Sequence, residues 1–179
     1  MSSVVYIDPD DLNKIDQPKT AIAIESAAVG RQRTFLRAKS NGKLDPFLHT
    51  DNDTIGFDLA FIAEPVSGGR LHIGSQMTFR SAQWKDRYLH VTCDGPGVYT
   101  VSCKVREQAD DPRAHFYFVR LKAESNALSI GSVGCPGRYI AMDMGNDEDG
   151  TGGVVSSRAG HSNATWFYLT PFDVPTFGT

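Results

Sequence analysis

The stretch FRSAQWKDRYLHV, residues 79–91, is repeated in outline by SIGSVGCPGRYIAM, residues 129–142. Each copy contains a serine, six further residues, and then a tyrosine followed by a large aliphatic residue. The matching positions are Ser81 with Tyr88-Leu89 and Ser132 with Tyr139-Ile140. A looser third copy, IESAAVGRQRTFLRA at residues 24–38, leads from Ser26 to Phe35-Leu36 across a gap two residues longer. A period near fifty residues indicates repeated supersecondary units that bury a core only together.

Each unit consists of short segments typical of β-strands. These segments are rich in β-branched and aromatic residues, and Gly, Pro, Asn and Asp clusters separate them. Seventeen glycines and nine prolines supply the turns. The predicted strands are 20–26, 34–38, 57–63, 77–82, 87–91, 99–103, 116–121, 127–132, 138–142, 153–157 and 166–172. Asn41-Gly42 and Asp94-Gly95 are hairpin signals, the first within the segment 40–47.

Three units of about four strands predict an all-β fold, the β-trefoil. In that fold two strands of each unit join a barrel and two form a cap, and closure removes the sheet edges. A β-sandwich would explain short strands but not the three-fold repetition. We expect an N-terminal arm over 1–19 and a single domain over 20–174, with lobes at about 20–63, 77–122 and 127–172. The recurring aromatics are expected in the core, namely Phe35, Tyr88 and Tyr139.

Charge and cysteine usage narrow the possible partners and compartments. The net charge of −3 argues against a nucleic-acid partner, which favours a basic face, and no apolar run is long enough to span a bilayer. The acidic start without a signal-like apolar run predicts a cytoplasmic protein, with secretion left open. Three cysteines without a CxxC pair favour buried free thiols; a hairpin bridge between Cys93 and Cys103 is the alternative.

Two of the units resemble a known family. Residues 132–172, with Arg138-Tyr139 near the start and a closing aromatic segment, are similar to the arabinose-binding β-trefoil of fungal arabinofuranosidases, and residues 77–121 share this outline. That family usually has a histidine shortly after the Arg-Tyr pair, and His90 stands there in unit two, against Ala141 and Arg37 in the other units. RTFLRAKSNGKLDP, residues 33–46, resembles fascin and fibroblast growth factor repeats. The resemblance implies a trefoil that binds a sugar or a protein.

Polar loops before the closing strand of each unit are the candidate binding sites. Asp, Asn and His can hydrogen-bond sugar hydroxyls, and an aromatic ring can cover the apolar face of a sugar; the same residues also form ordinary turns. The candidate ligand-binding residues are His49, Asp51 and Asp53 in unit one, His90, Asp110 and Asp111 in unit two, Asp143, His161 and Asn163 in unit three, and Trp84 as the aromatic face.

Local motifs of enzymes and cofactor sites are missing from the sequence. GxSxG, HExxH and GxxxxGK[ST] do not occur, and DMGNDEDG at 143–150 lacks one ligand and the distal Glu of an EF-hand calcium loop. We therefore expect no catalysis, no metal and no cofactor. The first hypothesis is a lectin-like module that binds a carbohydrate or glycoprotein; the alternative is a protein-binding trefoil, either a fascin-like module that binds actin or a protease inhibitor.

Overall fold

The computed structural model describes residues 6–14, 20–27, 33–48, 56–93, 99–106, 108–120, 125–143, 154–160 and 165–173. Twelve strands lie in these ranges and form one antiparallel sheet. The strands are β1 Thr20–Ser26, β2 Thr34–Ala38, β3 Leu44–Leu48, β4 Ala60–Pro65, β5 Met77–Ser81, β6 Arg87–Cys93, β7 Tyr99–Val105, β8 Phe116–Arg120, β9 Leu128–Ser132, β10 Arg138–Asp143, β11 Val154–Ala159 and β12 Phe167–Asp173.

Six of the strands close into a barrel. Around the ring, β1 pairs with β4, β4 with β5, β5 with β8, β8 with β9, β9 with β12, and β12 with β1. The other six form the hairpins β2–β3, β6–β7 and β10–β11, and β7 touches both neighbouring hairpins. This is a β-trefoil, and the predicted fold class is confirmed. We call β1–β4, β5–β8 and β9–β12 lobes one, two and three.

The repeated phrase is a turn motif that leads from the barrel into each hairpin. The Ser81 hydroxyl accepts the backbone amide of Trp84 at 3.1 Å, and the Ser132 hydroxyl accepts that of Cys135 at 3.0 Å. In both turns the carbonyl of that third residue accepts the amide of the following arginine, Arg87 or Arg138. In each turn a buried serine hydroxyl accepts a backbone amide three residues further on, which explains why the spacing recurs.

The core is filled by aliphatic and phenylalanine side chains of all three lobes. The aliphatic residues of the repeated pair, Leu36, Leu89 and Ile140, are fully buried. Phe35 is also fully buried, as expected, whereas Tyr88 and Tyr139 are only half-buried, so the prediction was wrong for these two. Successive side chains on a strand point to opposite faces, and the aliphatic neighbour takes the inner face.

Short 3₁₀ segments lie at Pro9–Lys14, Phe57–Leu59 and Pro112–Ala114. None is long and apolar enough to cross a membrane. Phe57–Leu59 was expected to open a strand, but the amide of Leu59 bonds the carbonyl of Gly56 at 3.1 Å and the strand begins at Ala60. A further strand, Leu44–Leu48, follows the confirmed Asn-Gly turn, where Gly42 has a φ of +85° that suits glycine.

The N-terminal residues that the structure describes pack against the barrel. The amide of Ile7 donates to the carbonyl of Leu169 at 2.8 Å, and the Tyr6 ring stacks on Tyr168 with centroids 4.4 Å apart. The Tyr6 hydroxyl donates to the carboxylate of Glu25, which is itself buried, and Leu12 is 1 % exposed within the core. This segment therefore covers the seam where β12 meets β1.

The cysteines pair differently from the expectation. Cys93 forms a disulfide with Cys135, with Cα atoms 6.3 Å apart, and Cys103 is a buried free thiol. Free thiols were therefore wrongly predicted for Cys93 and Cys135, and the alternative bridge between Cys93 and Cys103 is absent. In the β6–β7 register Cys103 stands opposite Leu89, far along the hairpin from Cys93, which stands opposite Tyr99.

The long connection between β4 and β5 folds back onto the barrel. The amide of Val66 bonds the carbonyl of Gln76 at 3.0 Å, which extends the hairpin, and Leu71 is buried in the core. The amide of Gly74 donates to the carbonyl of Phe118 on β8 at 3.2 Å. Leu71 and the amide of Gly74 therefore anchor this loop to the barrel, whereas residues 66–70 are exposed.

Candidate functional site

The loop before the closing strand of lobe two is shaped by an N-cap. Asp111 precedes the 3₁₀ turn Pro112–Ala114, and its carboxylate accepts the backbone amide of Arg113 at 3.0 Å. Proline is favoured at the first helical position because the φ it imposes fits and its missing amide is not needed there. The local sequence Asp-Pro-Arg-Ala thus sets where the Asp111 carboxylate points.

Arg113 binds this carboxylate from the solvent side. Its Nε and Nη2 each donate to a different oxygen of Asp111 at 3.0 Å, a bidentate arrangement that planar guanidinium and carboxylate groups favour. The side chain of Asp111 is 9 % exposed and that of Arg113 is 43 % exposed. The side-chain hydrogen bonds from Arg113 are the largest of the causes that lower the pKa of Asp111 to about 2. The carboxylate therefore stays ionised at neutral pH.

His90 lies beneath Asp111 on the protein side. Its Nε2 is 3.7 Å from Oδ2 of Asp111, its Nδ1 is 3.2 Å from Oγ1 of Thr92, and its side chain is 2 % exposed. The pKa of His90 is lowered, mainly by burial and further by the charges of Lys104 and Arg113. Asp111 acts in the opposite direction, but its effect is smaller. The imidazole is therefore neutral at pH 7, and its contact with Asp111 is not an ion pair at that pH.

A cavity of about 340 Å³ opens over this loop. Its size lies within the range of about 300–1,000 Å³ that is usual for small-molecule sites. We call it the lobe-two pocket, and its lining residues are Gln108, Asp110, Asp111, Pro112 and Arg113. The His115 ring, which is buried, lies 3.2 Å from the carbonyl of Ala109; since a carbonyl only accepts, the ring donates and holds the loop from inside.

A turn of lobe three supports the back of the lobe-two pocket. A Cβ added at Gly134 would lie 2.8 Å from both N and Cα of Arg113, so only a glycine allows the turn to approach this closely. The amide of Val133 donates to the carbonyl of His115 at 3.0 Å. The disulfide between Cys93 and Cys135 closes the same junction.

The structure brings together the lobe-two candidates and places Trp84 elsewhere. Asp110 and Asp111 line the pocket, and His90 lies below it. Trp84 is half-buried at the junction of lobes one and two, with the guanidinium of Arg87 5.4 Å from its ring centroid. Trp84 is not among the residues that line the lobe-two pocket.

The candidate side chains of lobes one and three lie outside the part of the chain that the structure describes. The backbone of Asp143 ends β10, but its side chain is not described. The remaining candidates lie outside the described residues and stay predictions: His49, Asp51, Asp53, His161 and Asn163. Within the described ranges no group of three or more His, Cys, Asp or Glu side chains could hold a metal ion, and 144–150 lies outside those ranges.

Lobe one lacks two members of the lobe-two arrangement. Gly56 caps the 3₁₀ turn before β4, where Asp111 caps the turn before β8. Arg37 occupies the place of His90, two residues after the repeated aromatic, and binds both carboxylate oxygens of Asp45, at 2.8 and 2.6 Å. The three-fold symmetry of the barrel therefore does not extend to this site.

Sequence reasoning did not identify all residues of the site. Gln108 and Pro112 line the pocket without having been singled out, and Gly134 supports it from another lobe. The Asp-Pro sequence is a recognisable N-cap signal and could have indicated the turn. No sequence signal indicates that Gly134 meets Arg113, because that contact depends on how lobes two and three pack.

Comparison with known proteins identifies the fold. No protein-family model and no curated protein matches the sequence. Among solved structures, an SDF2-like protein from Arabidopsis thaliana is similar at a TM-score of 0.65 and 13% identity, covering 88% of this chain and 96% of that one. A BEL β-trefoil has a TM-score of 0.57 at 12% identity, covering 86% and 93%. A GlcNAcα1-4Gal-releasing endo-β-galactosidase from Clostridium perfringens has a TM-score of 0.59 at 14% identity, covering 86% and 32%.

This protein is thus a member of the β-trefoil fold class. At these identities the likeness establishes the fold and nothing finer. The resemblance to arabinose-binding and fascin repeats stays a prediction.

Proposed function

We propose that this protein is a non-catalytic carbohydrate-binding β-trefoil and that the lobe-two pocket is one of its sites. The observation that carries the proposal is the pairing of a fixed carboxylate with a half-exposed guanidinium, Asp111 with Arg113, in the wall of a cavity of about 340 Å³. Sugar hydroxyls need donors and acceptors in one place, and Arg113, Asp110 and Gln108 supply both.

The electrostatics of the pocket disfavour an anionic ligand and are compatible with a neutral one. Asp111 is already neutralised by Arg113, and Asp110 adds one exposed carboxylate, so the lining carries a small net negative charge. Binding hydroxyl groups there requires no unpaired buried charge, which would be costly. The resemblance to arabinose-binding repeats points to the same ligand class, and one fold relative is an enzyme that releases GlcNAcα1-4Gal.

A binding role fits Asp111 better than a catalytic one. Glycoside hydrolysis usually needs one carboxylic acid that is protonated near neutral pH and a second carboxylate across the bond. Arg113 keeps the pKa of Asp111 at about 2, so Asp111 cannot donate a proton at pH 7.

We further propose that the protein works in an oxidising compartment. Disulfides persist in secreted and endomembrane proteins and are rare in the cytosol. The disulfide of Cys93 with Cys135 supports secretion over the cytoplasmic expectation, and it weakens the fascin-like, actin-binding alternative.

The test is a glycan array with and without calcium, followed by calorimetry on the best sugar. Gln108→Ala and Asp110→Asn should each weaken binding about fivefold or more, the loss of one hydrogen bond of roughly 1 kcal/mol. Gln83→Ala and Asp86→Asn are matched controls, since both residues are exposed in the turn before β6; these variants should bind as the wild type does.

Three other outcomes of the array and of the variants would contradict the proposal or move the sugar site. A blank array in both conditions contradicts carbohydrate binding and favours a protein partner, to be sought by pull-down. Binding that both pocket variants leave unchanged places the sugar in another lobe. Dependence on calcium would implicate residues 143–150, which we expect not to bind it.

A further inference from the structure

The disulfide links the edge of lobe two to a turn of lobe three. Cys93 is the last residue of β6 and is exposed, whereas Cys135 lies in the turn between β9 and β10 and is 3 % exposed. The two cysteines are 42 residues apart in sequence. The covalent bond therefore joins two lobes and leaves one of its sulfurs near solvent.

The same turn of lobe three is packed against the lobe-two pocket. Gly134, the neighbour of Cys135, lies against the backbone of Arg113 with no room for a Cβ. Val133 donates its amide to the carbonyl of His115, at the other end of the 3₁₀ turn. Any shift of this turn therefore changes the backbone support of Arg113, and Arg113 holds the Asp111 carboxylate.

The equivalent junction between lobes one and two is built without a covalent bond. Trp84 stands three residues after Ser81, as Cys135 stands three residues after Ser132. At that junction the Trp84 ring packs on the core, and Arg87 donates to the carbonyl of Ser40 in the lobe-one hairpin at 2.7 Å. Cys135 provides a much smaller side chain than tryptophan, and its bond to Cys93 adds a covalent link at the junction of lobes two and three, beside the hydrogen bond of Val133 with His115.

We propose that the Cys93–Cys135 disulfide positions the binding loop of the lobe-two pocket, so that its affinity for a sugar depends on the oxidation state of this bond. The affinity part rests on the proposed function of the same pocket; the positioning part does not. Cys93 and Cys135 act through Gly134 and Arg113 and are positioning residues.

Reduction by a dithiol is the step that would weaken the site. A thiolate of the dithiol attacks the exposed sulfur of Cys93, the disulfide breaks, and its electron pair leaves with the sulfur of Cys135, which takes up a proton. The second thiol of the reductant then releases Cys93 from the mixed disulfide. Two electrons and two protons pass to the protein, and the reductant becomes a cyclic disulfide.

Amide hydrogen exchange, followed by NMR with and without dithiothreitol, tests the positioning directly. Reduction should lower the protection of the amides of Arg113 and Val133, which bond Asp111 and His115. The amide of Cys103 is the internal control, since it bonds the carbonyl of Gly42 at the distant junction of lobes one and two. Its protection should stay the same.

Two further measurements separate positioning from general stability. Reduction should raise the pKa of the Asp111 carboxyl from about 2 toward its ordinary value as Arg113 loses its fixed position. Reduction should also weaken binding of the sugar chosen from the array about tenfold, and reoxidation should restore it. The double variant Cys93→Ser/Cys135→Ser should show the pKa and the affinity of the reduced protein, and dithiothreitol should change neither. In Cys103→Ser, dithiothreitol should change both as it does in the wild type.

The outcomes distinguish this inference from the proposed function. Unchanged protection at Arg113 and Val133 overturns the positioning role, whatever the array shows. An equal loss of protection at Cys103 also overturns it, because the disulfide would then stabilise the whole fold without a particular effect on the pocket. Local loss of protection without any sugar binding supports the positioning role and contradicts the carbohydrate function.

Discussion

Arg113 donates to both carboxylate oxygens of Asp111 at 3.0 Å, and its backbone amide adds a third hydrogen bond. These bonds stabilise the ionised carboxylate of the folded protein and lower the pKa of Asp111 to about 2, from its ordinary value of 3.8. Because the folded pKa lies below the unfolded one, the resulting stability is present at neutral pH and is lost as the pH falls through about 4 toward 2.

Asp111→Asn should therefore lower the free energy of unfolding by about 1–3 kcal/mol at pH 7, since it leaves Arg113 without its charge partner. The difference from the wild type should shrink as the pH falls toward 2. Urea denaturation at a series of pH values measures it. Asp86→Asn is the control and should show no such trend. A difference that is constant with pH would contradict the assigned ion pair.

Gly134→Ala should destabilise the protein by about 1–3 kcal/mol, the usual cost of overpacking. The added Cβ would lie 2.8 Å from the backbone of Arg113, and backbone cannot move aside as a flexible side chain can. Gly69→Ala is the matched control because nothing lies within 4 Å of its Cβ. Thermal unfolding of both variants measures the effect. Equal melting temperatures would show that the lobe-three turn does not press on the pocket.

Leu89→Ala should cost about 2–5 kcal/mol of stability, the range for truncating a buried leucine. Leu89 is fully buried where the repeated phrase enters β6, whereas Val105 is 56% exposed at the end of β7. Val105→Ala should change the free energy of unfolding by less than about 0.5 kcal/mol. Chemical denaturation compares the two. A small loss at Leu89 would mean that the repeated aliphatic position does not carry the core.

Tyr6 should ionise only at strongly alkaline pH. Burial, followed by its hydrogen bond to Glu25 and the charge of Glu25, raises the pKa of Tyr6 to about 12. Because the folded pKa exceeds the unfolded value of 10.0, this contribution to stability is complete below pH 10 and declines as the pH rises toward 12. Absorbance titration near 295 nm, wild type against Tyr6→Phe, identifies the group; a Tyr6 signal near pH 10 would contradict the docked N-terminal segment.

The repeats determined most of the fold. The serine-to-tyrosine phrase, the short strands and the Asn41-Gly42 turn are local patterns, and they predicted the strands of all three lobes to within a few residues except Leu44–Leu48. Pro46 within that strand obscured it, because proline is unusual in strands. The candidate site could be predicted from the sequence only in part. Asp110 and Asp111 could be named from their loop, but no sequence pattern indicates that Arg113 binds both carboxylate oxygens of Asp111.

The sequence by itself therefore determined the strand order, the three-fold repetition and the loop that would carry polar groups, because each is specified by neighbours in the chain. Only the tertiary structure decided that Cys93 pairs with Cys135, that His90 lies beneath Asp111, and that Gly134 supports Arg113. These contacts join residues 21 to 42 positions apart. The first and third contacts depend on how lobes two and three close around the barrel, and the second depends on how β6 packs against the loop before β8. No local pattern in the chain records either arrangement.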